Sequence, residues 1–143
     1  MLFRSKEFVI NKDYALHIPE NLDMAGVAPL LCAGITLWSP IKYFKVGPGK
    51  HVAILGLGGL GHMGVKFAAA MGADVTVLSH SPNKEADALA MGAHSFVATN
   101  DPSVFKKYEK SFDVILNTVS AEIDIDHYLN LDRKSTRLNS SHT

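Results

Sequence analysis

The sequence predicts an α/β fold, a doubly wound parallel sheet of about four strands in the order 3-2-1-4. Three observations predict it. Short, almost wholly apolar runs stand at 51–55, 74–78, 95–98 and 112–116, as strands buried on both faces do. Between them lie helical stretches, two of which close on the same words, Ala70-Met71-Gly72-Ala73 and Ala90-Met91-Gly92-Ala93. A glycine run, Gly56-Leu57-Gly58-Gly59-Leu60-Gly61, joins the first strand to the first of those helices. Strand–helix alternation of this kind implies βαβ units with right-handed crossovers.

Taken in order, residues 7–18 read as extended, with Pro19 ending the run. Asn21 or Asp23 can cap a helix that starts near Met24 and runs toward Leu31 and Cys32. Gly34 is expected to interrupt it before a second helical stretch, Ile35 to Phe44, and Gly47-Pro48-Gly49 reads as a turn. After the strand at 51–55 a small-residue helix is expected over Met63 to Met71, with Gly72 as its C′ residue. Ser81 and Pro82 suit the N-cap and N1 positions of the next helix, which ends at Met91 before Gly92. A short helix over Pro102 to Lys110 precedes the fourth strand, Phe112 to Leu116.

Composition narrows the function classes. Fourteen basic residues balance fourteen acidic ones, which gives no field to attract nucleic acid or an anionic membrane. No apolar run is long enough to span a bilayer, and the first seven residues lack a signal-peptide h-region. One cysteine excludes an internal disulfide and fits a reducing compartment, so a cytoplasmic location is expected.

Gly56, Gly58 and Gly61 form G-x-G-x-x-G between a buried strand and a helix. The first glycine permits the tight turn, the second lets backbone approach a pyrophosphate, and the third lets helix and strand pack closely. Gly59, Leu60 and Gly61 complete the candidate cofactor-binding run, and the anion would sit on free N–H groups at the positive end of the helix that follows. The competing reading is a glycine-rich turn without a ligand. An NAD site places an acidic residue about 20 positions on, at the end of the second strand. Here the segment is Ser79-His80-Ser81-Pro82-Asn83-Lys84, without Asp or Glu. Serine hydroxyls, free helix N–H groups, Lys84 and His80 suit a 2′-phosphate, which points to NADP over NAD. The alternative is a capping serine and a solvated lysine whose helix dipole is already balanced by Glu85 and Asp87. An S-adenosylmethionine-dependent methyltransferase also uses such a sheet, but usually wants an acidic residue after the second strand, and Ser79-His80 argues against it.

Read from composition, Cys32 is a small buried hydrophobe, and the scattered histidines form no cluster with metal-ligand spacing. At Pro29-Leu30-Leu31-Cys32-Ala33-Gly34-Ile35-Thr36 and at Gly56 to Gly64, however, the chain closely resembles zinc-dependent medium-chain alcohol dehydrogenases, of the cinnamyl-alcohol-dehydrogenase-like branch. The resemblance covers roughly residues 7–131 and includes Ile18-Pro19-Glu20-Asn21-Leu22, Val46-Gly47-Pro48-Gly49 and Leu116-Asn117-Thr118-Val119. It implies a bilobal parent with a zinc-bearing catalytic domain and a Rossmann domain, in which Cys32 is a catalytic zinc ligand. It implies that Thr36 lies near the cofactor, that Ser79, His80 and Lys84 bind a 2′-phosphate, and that Thr118, Val119 and Ser120 border the ribose and nicotinamide. It implies hydride transfer between NADP(H) and a primary alcohol or aldehyde in the full-length enzyme, with zinc, a small-molecule substrate and a homodimeric parent. A non-catalytic dinucleotide-binding module, or an inactive remnant, is the alternative.

On this resemblance residues 1–45 are the end of a GroES-like catalytic domain with connecting helices, and 46–131 are a truncated Rossmann domain. The family's other catalytic zinc ligands fall outside the sequence, so no catalytic set is complete in this chain. Residues 132–143 read as a polar, non-native-looking tail without a strand pattern, similar to translated sequencing adapter, and no fold element is expected there.

Overall fold

The computed structural model of the chain describes residues 7–134 and the backbone of residues 138–140. The expectations about residues 1–6 and most of the polar tail lie outside the described residues. A five-stranded parallel sheet organises the chain, in the order β3-β2-β1-β4-β5. The strands are β1 (His51–Leu55), β2 (Asp74–Ser79), β3 (Ser95–Ala98), β4 (Val114–Asn117) and β5 (Leu138–Ser140). The expected 3-2-1-4 order is therefore present, with one strand more.

The central strand shows why the sheet is covered on both faces. Its side chains alternate, as strand geometry requires. Val52 and Ile54 point into a cluster with Val75, Val77, Val114 and Leu116. Ala53 and Leu55 point into a second cluster with Leu78, Val97, Ile115 and Tyr128. A run of four consecutive fully covered apolar residues, Val52 to Leu55, is the signature of this double burial.

The first face is closed by α2 (Ala33–Tyr43) and α3 (Gly59–Ala70). On α2, Gly34, Leu37 and Ile41 are buried, a spacing that puts one stripe toward the core. On α3 the buried stripe is Gly61, Gly64, Val65 and Ala68. The two helices also meet through Trp38 and Phe67, edge to face at 5.7 Å. The second face is closed by α5 (Ser103–Lys107) and α6 (Ile125–Leu129), with Phe105 packed edge-on against Tyr128 at 5.0 Å. Gly72 and Gly92 follow α3 and α4 (Glu85–Ala90) at φ +82° and +108°, as expected of C′ glycines.

Several expectations are corrected. Gly34 does not interrupt a helix: α2 begins at Ala33 and runs through it. A Cβ there would stand 3.1 Å from that of Leu30, so the small residue serves a close packing contact. The helix before it is a single turn, α1 (Met24–Val27), capped by the Asp23 carboxylate through the Gly26 N–H at 2.7 Å and continued as a 3₁₀ turn, Ala28–Leu31. Residues 7–18 pair with no strand and hold a 3₁₀ turn at Lys12–Tyr14. Their apolar side chains stay in the open, Val9 at 99% exposure, since no strand among the described residues pairs with them. The tail is corrected too. The backbone of Leu138–Ser140 pairs in parallel with β4, Leu138 opposite Ile115. The open edge of β4 needs backbone partners, and an extended backbone supplies them whatever its side-chain pattern.

Candidate functional site

The site lies where β1 ends. Gly56 turns the chain at φ +86°, in the left-handed region that glycine tolerates best. A Cβ on Gly56 would stand 2.7 Å from Cγ2 of Val119, and one on Gly61 would overlap the Gly56 carbonyl oxygen. Gly61 therefore permits α3 to start directly against the end of β1. Gly58 and Gly59 differ: a Cβ on either would meet nothing within 4 Å. Space thus opens over the start of α3. This helix begins at Gly59, four residues earlier than the expected Met63.

Its N-cap is Gly58, which has no side chain to satisfy the first N–H groups. The first helical bond runs from the His62 N–H to the Gly58 carbonyl at 2.9 Å, so the N–H groups of Gly59, Leu60 and Gly61 precede it. Glycines at 56, 58 and 61 thus fulfil three different requirements, and together they fit a diphosphate held at a helix N-terminus.

The loop after β4 closes the turn from the other side. Thr118 Oγ1 donates to the Leu55 carbonyl at 2.8 Å, with a longer contact of 3.3 Å to that of Gly56. The Thr118 N–H also bonds the Leu55 carbonyl at 3.0 Å. The Val119 N–H bonds the Asn117 side-chain oxygen at 2.9 Å, and Ser120 is exposed beyond it. Thr118 and Val119 are thereby brought to the glycine turn.

At the end of β2, Ser79 is buried and its hydroxyl accepts from the Ser81 N–H at 3.2 Å. Ser81 and Pro82 take the expected N-cap and N1 positions, although the Ser81 side chain makes no capping hydrogen bond. The segment starts as a 3₁₀ turn, Pro82–Lys84, before α4 begins at Glu85. His80 is exposed, with Nδ1 3.5 Å from the Thr99 hydroxyl. Lys84 is half-buried and reaches back to the glycine turn, its Nζ donating to the Leu57 carbonyl at 3.2 Å.

These elements enclose a cleft of about 140 Å³ lined by Gly56, Ser79, His80, Thr99, Val119 and Glu122. It sits at the carboxyl ends of the strands, beside the point where the strand order reverses about β1. Sequence reasoning missed Thr99 and Glu122. Thr99 comes directly after β3 and bonds the Ser79 carbonyl through its N–H at 2.9 Å, so its position at a strand's carboxyl end was the available signal. Glu122 gave none, because its loop position depends on the packing of α6. A separate hollow of about 430 Å³, lined by Leu16, Leu31, Ile35, Trp38 and Phe67 among others, shares no residue with this cleft. It is almost wholly apolar and offers no group for binding an anion.

Cys32 and Thr36 are not among the residues lining the cleft. Cys32 is exposed where a 3₁₀ turn ends and α2 begins, which corrects the buried reading from composition. Its carbonyl accepts from the Thr36 N–H at 3.1 Å, and Thr36 is half-buried. No described hydrogen bond joins Thr36 to the glycine turn. Among the described residues, no group of three His, Cys, Asp or Glu side chains could hold a metal ion. A catalytic zinc takes three protein ligands, so Cys32 alone does not make that site here.

A doubly wound sheet with a glycine turn at the end of its central strand is a partial Rossmann domain. The chain belongs to the zinc-binding dehydrogenase family, whose model matches residues 59–140. It is 57% identical over 127 residues to the NADP-dependent alcohol dehydrogenase C of Mycobacterium bovis, covering 89% of this chain and 37% of that protein. It is 54% identical over 129 residues to the probable formaldehyde dehydrogenase AdhA of Bacillus subtilis, covering 90% of this chain and 37% of that protein. The chain thus spans just over a third of the length of these curated relatives. Among solved structures, a cinnamyl alcohol dehydrogenase of Sorghum bicolor matches with a TM-score of 0.84 and 42% identity, over 91% of this chain and 40% of that one. The CAD of Helicobacter pylori, solved with NADP(H), matches with a TM-score of 0.78 and 41% identity, over 86% of this chain and 34% of that one.

Proposed function

We propose that this chain is the cofactor-binding part of a zinc-dependent alcohol dehydrogenase that exchanges hydride between NADP(H) and a primary alcohol or aldehyde. The observation that carries it is the glycine turn, with open space at Gly58 and Gly59 above the start of α3. In this reading the N–H groups of Gly59, Leu60 and Gly61 hold the pyrophosphate. Ser79, His80, Ser81 and Lys84 take the 2′-phosphate, while Thr118, Val119 and Ser120 border the ribose and nicotinamide, with Thr36 near them. The dinucleotide supplies hydride chemistry when bound; the residues of this chain bind and orient it. The NADP-dependent name of the Mycobacterium relative supports the choice of cofactor.

Cys32 is proposed as one zinc ligand in the full-length protein. Its exposure beside α2 supports that role, but the described residues do not complete a metal site, so zinc contributes no step that this chain performs. Residues 1–45 are proposed as the end of the catalytic domain and 46–131 as the cofactor domain. No single helix among the described residues is long and apolar enough to cross a membrane. A cytoplasmic enzyme acting on small molecules, homodimeric in its full-length form and without nucleic-acid or membrane partners, completes the proposal.

The test is equilibrium binding of NADPH and NADH to this chain, monitored by fluorescence. NADPH is expected to bind more tightly. Tighter NADH binding would sink the NADP assignment, and binding of neither would sink the cofactor role. The incomplete ligand set around Cys32 favours a second reading for the chain by itself, a dinucleotide-binding module without catalysis. Alcohol-dependent reduction of NADP by the isolated chain would overturn that second reading.

A further inference from the structure

A cation reaches into the glycine turn itself. Lys84 Nζ donates to the carbonyl oxygen of Leu57 at 3.2 Å, across 27 residues of sequence. We infer that Lys84 is a positioning residue for the pyrophosphate-binding turn, in addition to any contact it makes with a 2′-phosphate. The inference rests on the proposed dinucleotide site.

The peptide that joins Leu57 to Gly58 is the part held in place. In a planar trans peptide the carbonyl and the next N–H point in opposite directions. Holding the Leu57 carbonyl therefore fixes the plane of the peptide that leads into Gly58, the N-cap directly before the Gly59, Leu60 and Gly61 N–H groups assigned to the pyrophosphate. The Leu57 side chain is buried and anchors one end of that peptide. At the other end Gly58 has no Cβ, and a Cβ there would meet nothing within 4 Å, so local sterics do little to hold the plane. Lys84 supplies the missing restraint from a short rigid segment, the Pro82–Lys84 turn, where proline fixes one backbone angle.

The ammonium has three donors, so the bond to Leu57 leaves two for an anion. Its charge also stands next to the segment that would carry the diphosphate and remains partly open to solvent, so added salt weakens its attraction for the anion. A residue that served only the 2′-phosphate would matter only to ligands bearing that group. A residue that holds the turn matters to every ligand with a diphosphate.

The experiment measures equilibrium affinities of the full chain and its Lys84→Met and Lys84→Arg variants for two probes, with the Tm of each protein. ADP carries the diphosphate without a 2′-phosphate; 2′-AMP carries the 2′-phosphate without a diphosphate. Lys84→Met keeps most of the alkyl stem and removes the donor and charge. It is expected to weaken ADP binding by about 5- to 10-fold, the scale of one charge-assisted hydrogen bond. It is also expected to flatten the salt dependence of ADP binding, which a purely structural change would leave alone. Lys84→Arg retains a donor and is expected to bind ADP within about 2-fold of the unsubstituted chain. If Lys84→Met fails to fold, Lys84→Gln takes its place with the same expectation. An ADP affinity and salt dependence unchanged on loss of the ammonium overturns the inference, whatever happens to 2′-AMP. If the unsubstituted chain binds neither probe, the dinucleotide reading itself fails and this inference falls with it.

Discussion

Gly61 stands against the Gly56 carbonyl where the start of α3 meets the end of β1. A Cβ on Gly61 would occupy the space of the Gly56 carbonyl oxygen and lie 3.1 Å from the Thr118 hydroxyl. Because the obstacle is backbone, a change of rotamer cannot relieve it. Gly61→Ala is therefore expected to destabilise the fold by about 2–3 kcal/mol, in the range of overpacked cores. Urea denaturation measures this, and a loss below about 0.5 kcal/mol would show that helix and strand separate easily.

Gly58→Ala is the contrasting case. The residue has φ −98° and ψ −159°, a conformation open to alanine, and its Cβ would meet no protein atom within 4 Å. Stability is expected to change by less than about 0.5 kcal/mol, as at an unconstrained surface position. Affinity for NADPH should nevertheless fall by about 10-fold or more, because the methyl group enters the space assigned to the pyrophosphate. Unchanged affinity would move the diphosphate elsewhere.

Thr118 joins the two halves of the turn through its hydroxyl. Thr118→Val keeps the shape and removes the donor to the Leu55 carbonyl, with an expected cost of about 1–2 kcal/mol. Thr118→Ser restores the donor and should recover most of that loss. Equal losses in thermal unfolding for the two variants would assign the effect to the methyl group.

A pH effect is expected at the opposite end of the sheet. Burial pushes the Asp113 carboxyl up, but the hydrogen bond from the His51 N–H and the charges of Arg133, Lys50 and His51 outweigh it. The carboxyl is therefore held below its ordinary value. A carboxylate depressed in the folded state stabilises it above the unfolded value, near 3.9, and that stability is lost as pH falls through the folded value. Asp113→Asn should lower stability at pH 6 and flatten its decline below about pH 4. An acid limb identical to that of the unsubstituted chain would refute the assignment.

Cys32 is exposed, so one thiol per chain should react with a disulfide reagent under native conditions. The same protein is expected to hold no tight stoichiometric zinc, since no three-ligand group exists among the described residues. Reaction only in denaturant would place Cys32 in the interior. One zinc per chain surviving dialysis would mean that ligands assemble in a way this fold does not show.

The first half of the sheet was legible because its signals are local. The run from Val52 to Leu55 declares a strand covered on two sides, and Gly56 to Gly61 declares the turn and helix start beyond it. Gly72 and Gly92 mark helix ends by backbone conformation alone. The errors fall where a residue's role depends on distant partners. Gly34 looks like a break until Leu30 is placed beside it. Residues 7–18 look like a strand until no neighbour is found to pair with. The five-residue helix α6 was unread because its stability comes from Tyr128 and Phe105 meeting over the sheet, and only Asp124, its N-cap, hinted at it. In the site, Ser79, His80 and Lys84 were visible as a cluster in sequence. Thr99, Glu122 and the bond from Lys84 to Leu57 became visible only once three strand ends came together.

The bond from Thr118 to Leu55 has a consequence for the order in which the protein is made. Synthesis proceeds from the N-terminus, so β1, the glycine turn and α3 are made before residue 118 is added. Until β4 docks, the turn has its glycines but lacks the hydroxyl and amide that tie it shut from 63 positions away. Closing so long a loop is the slow part of folding a parallel sheet. Competence to hold a ligand therefore arrives near the end of folding, and a nascent chain gains no protection from a cofactor until its central strand has both neighbours.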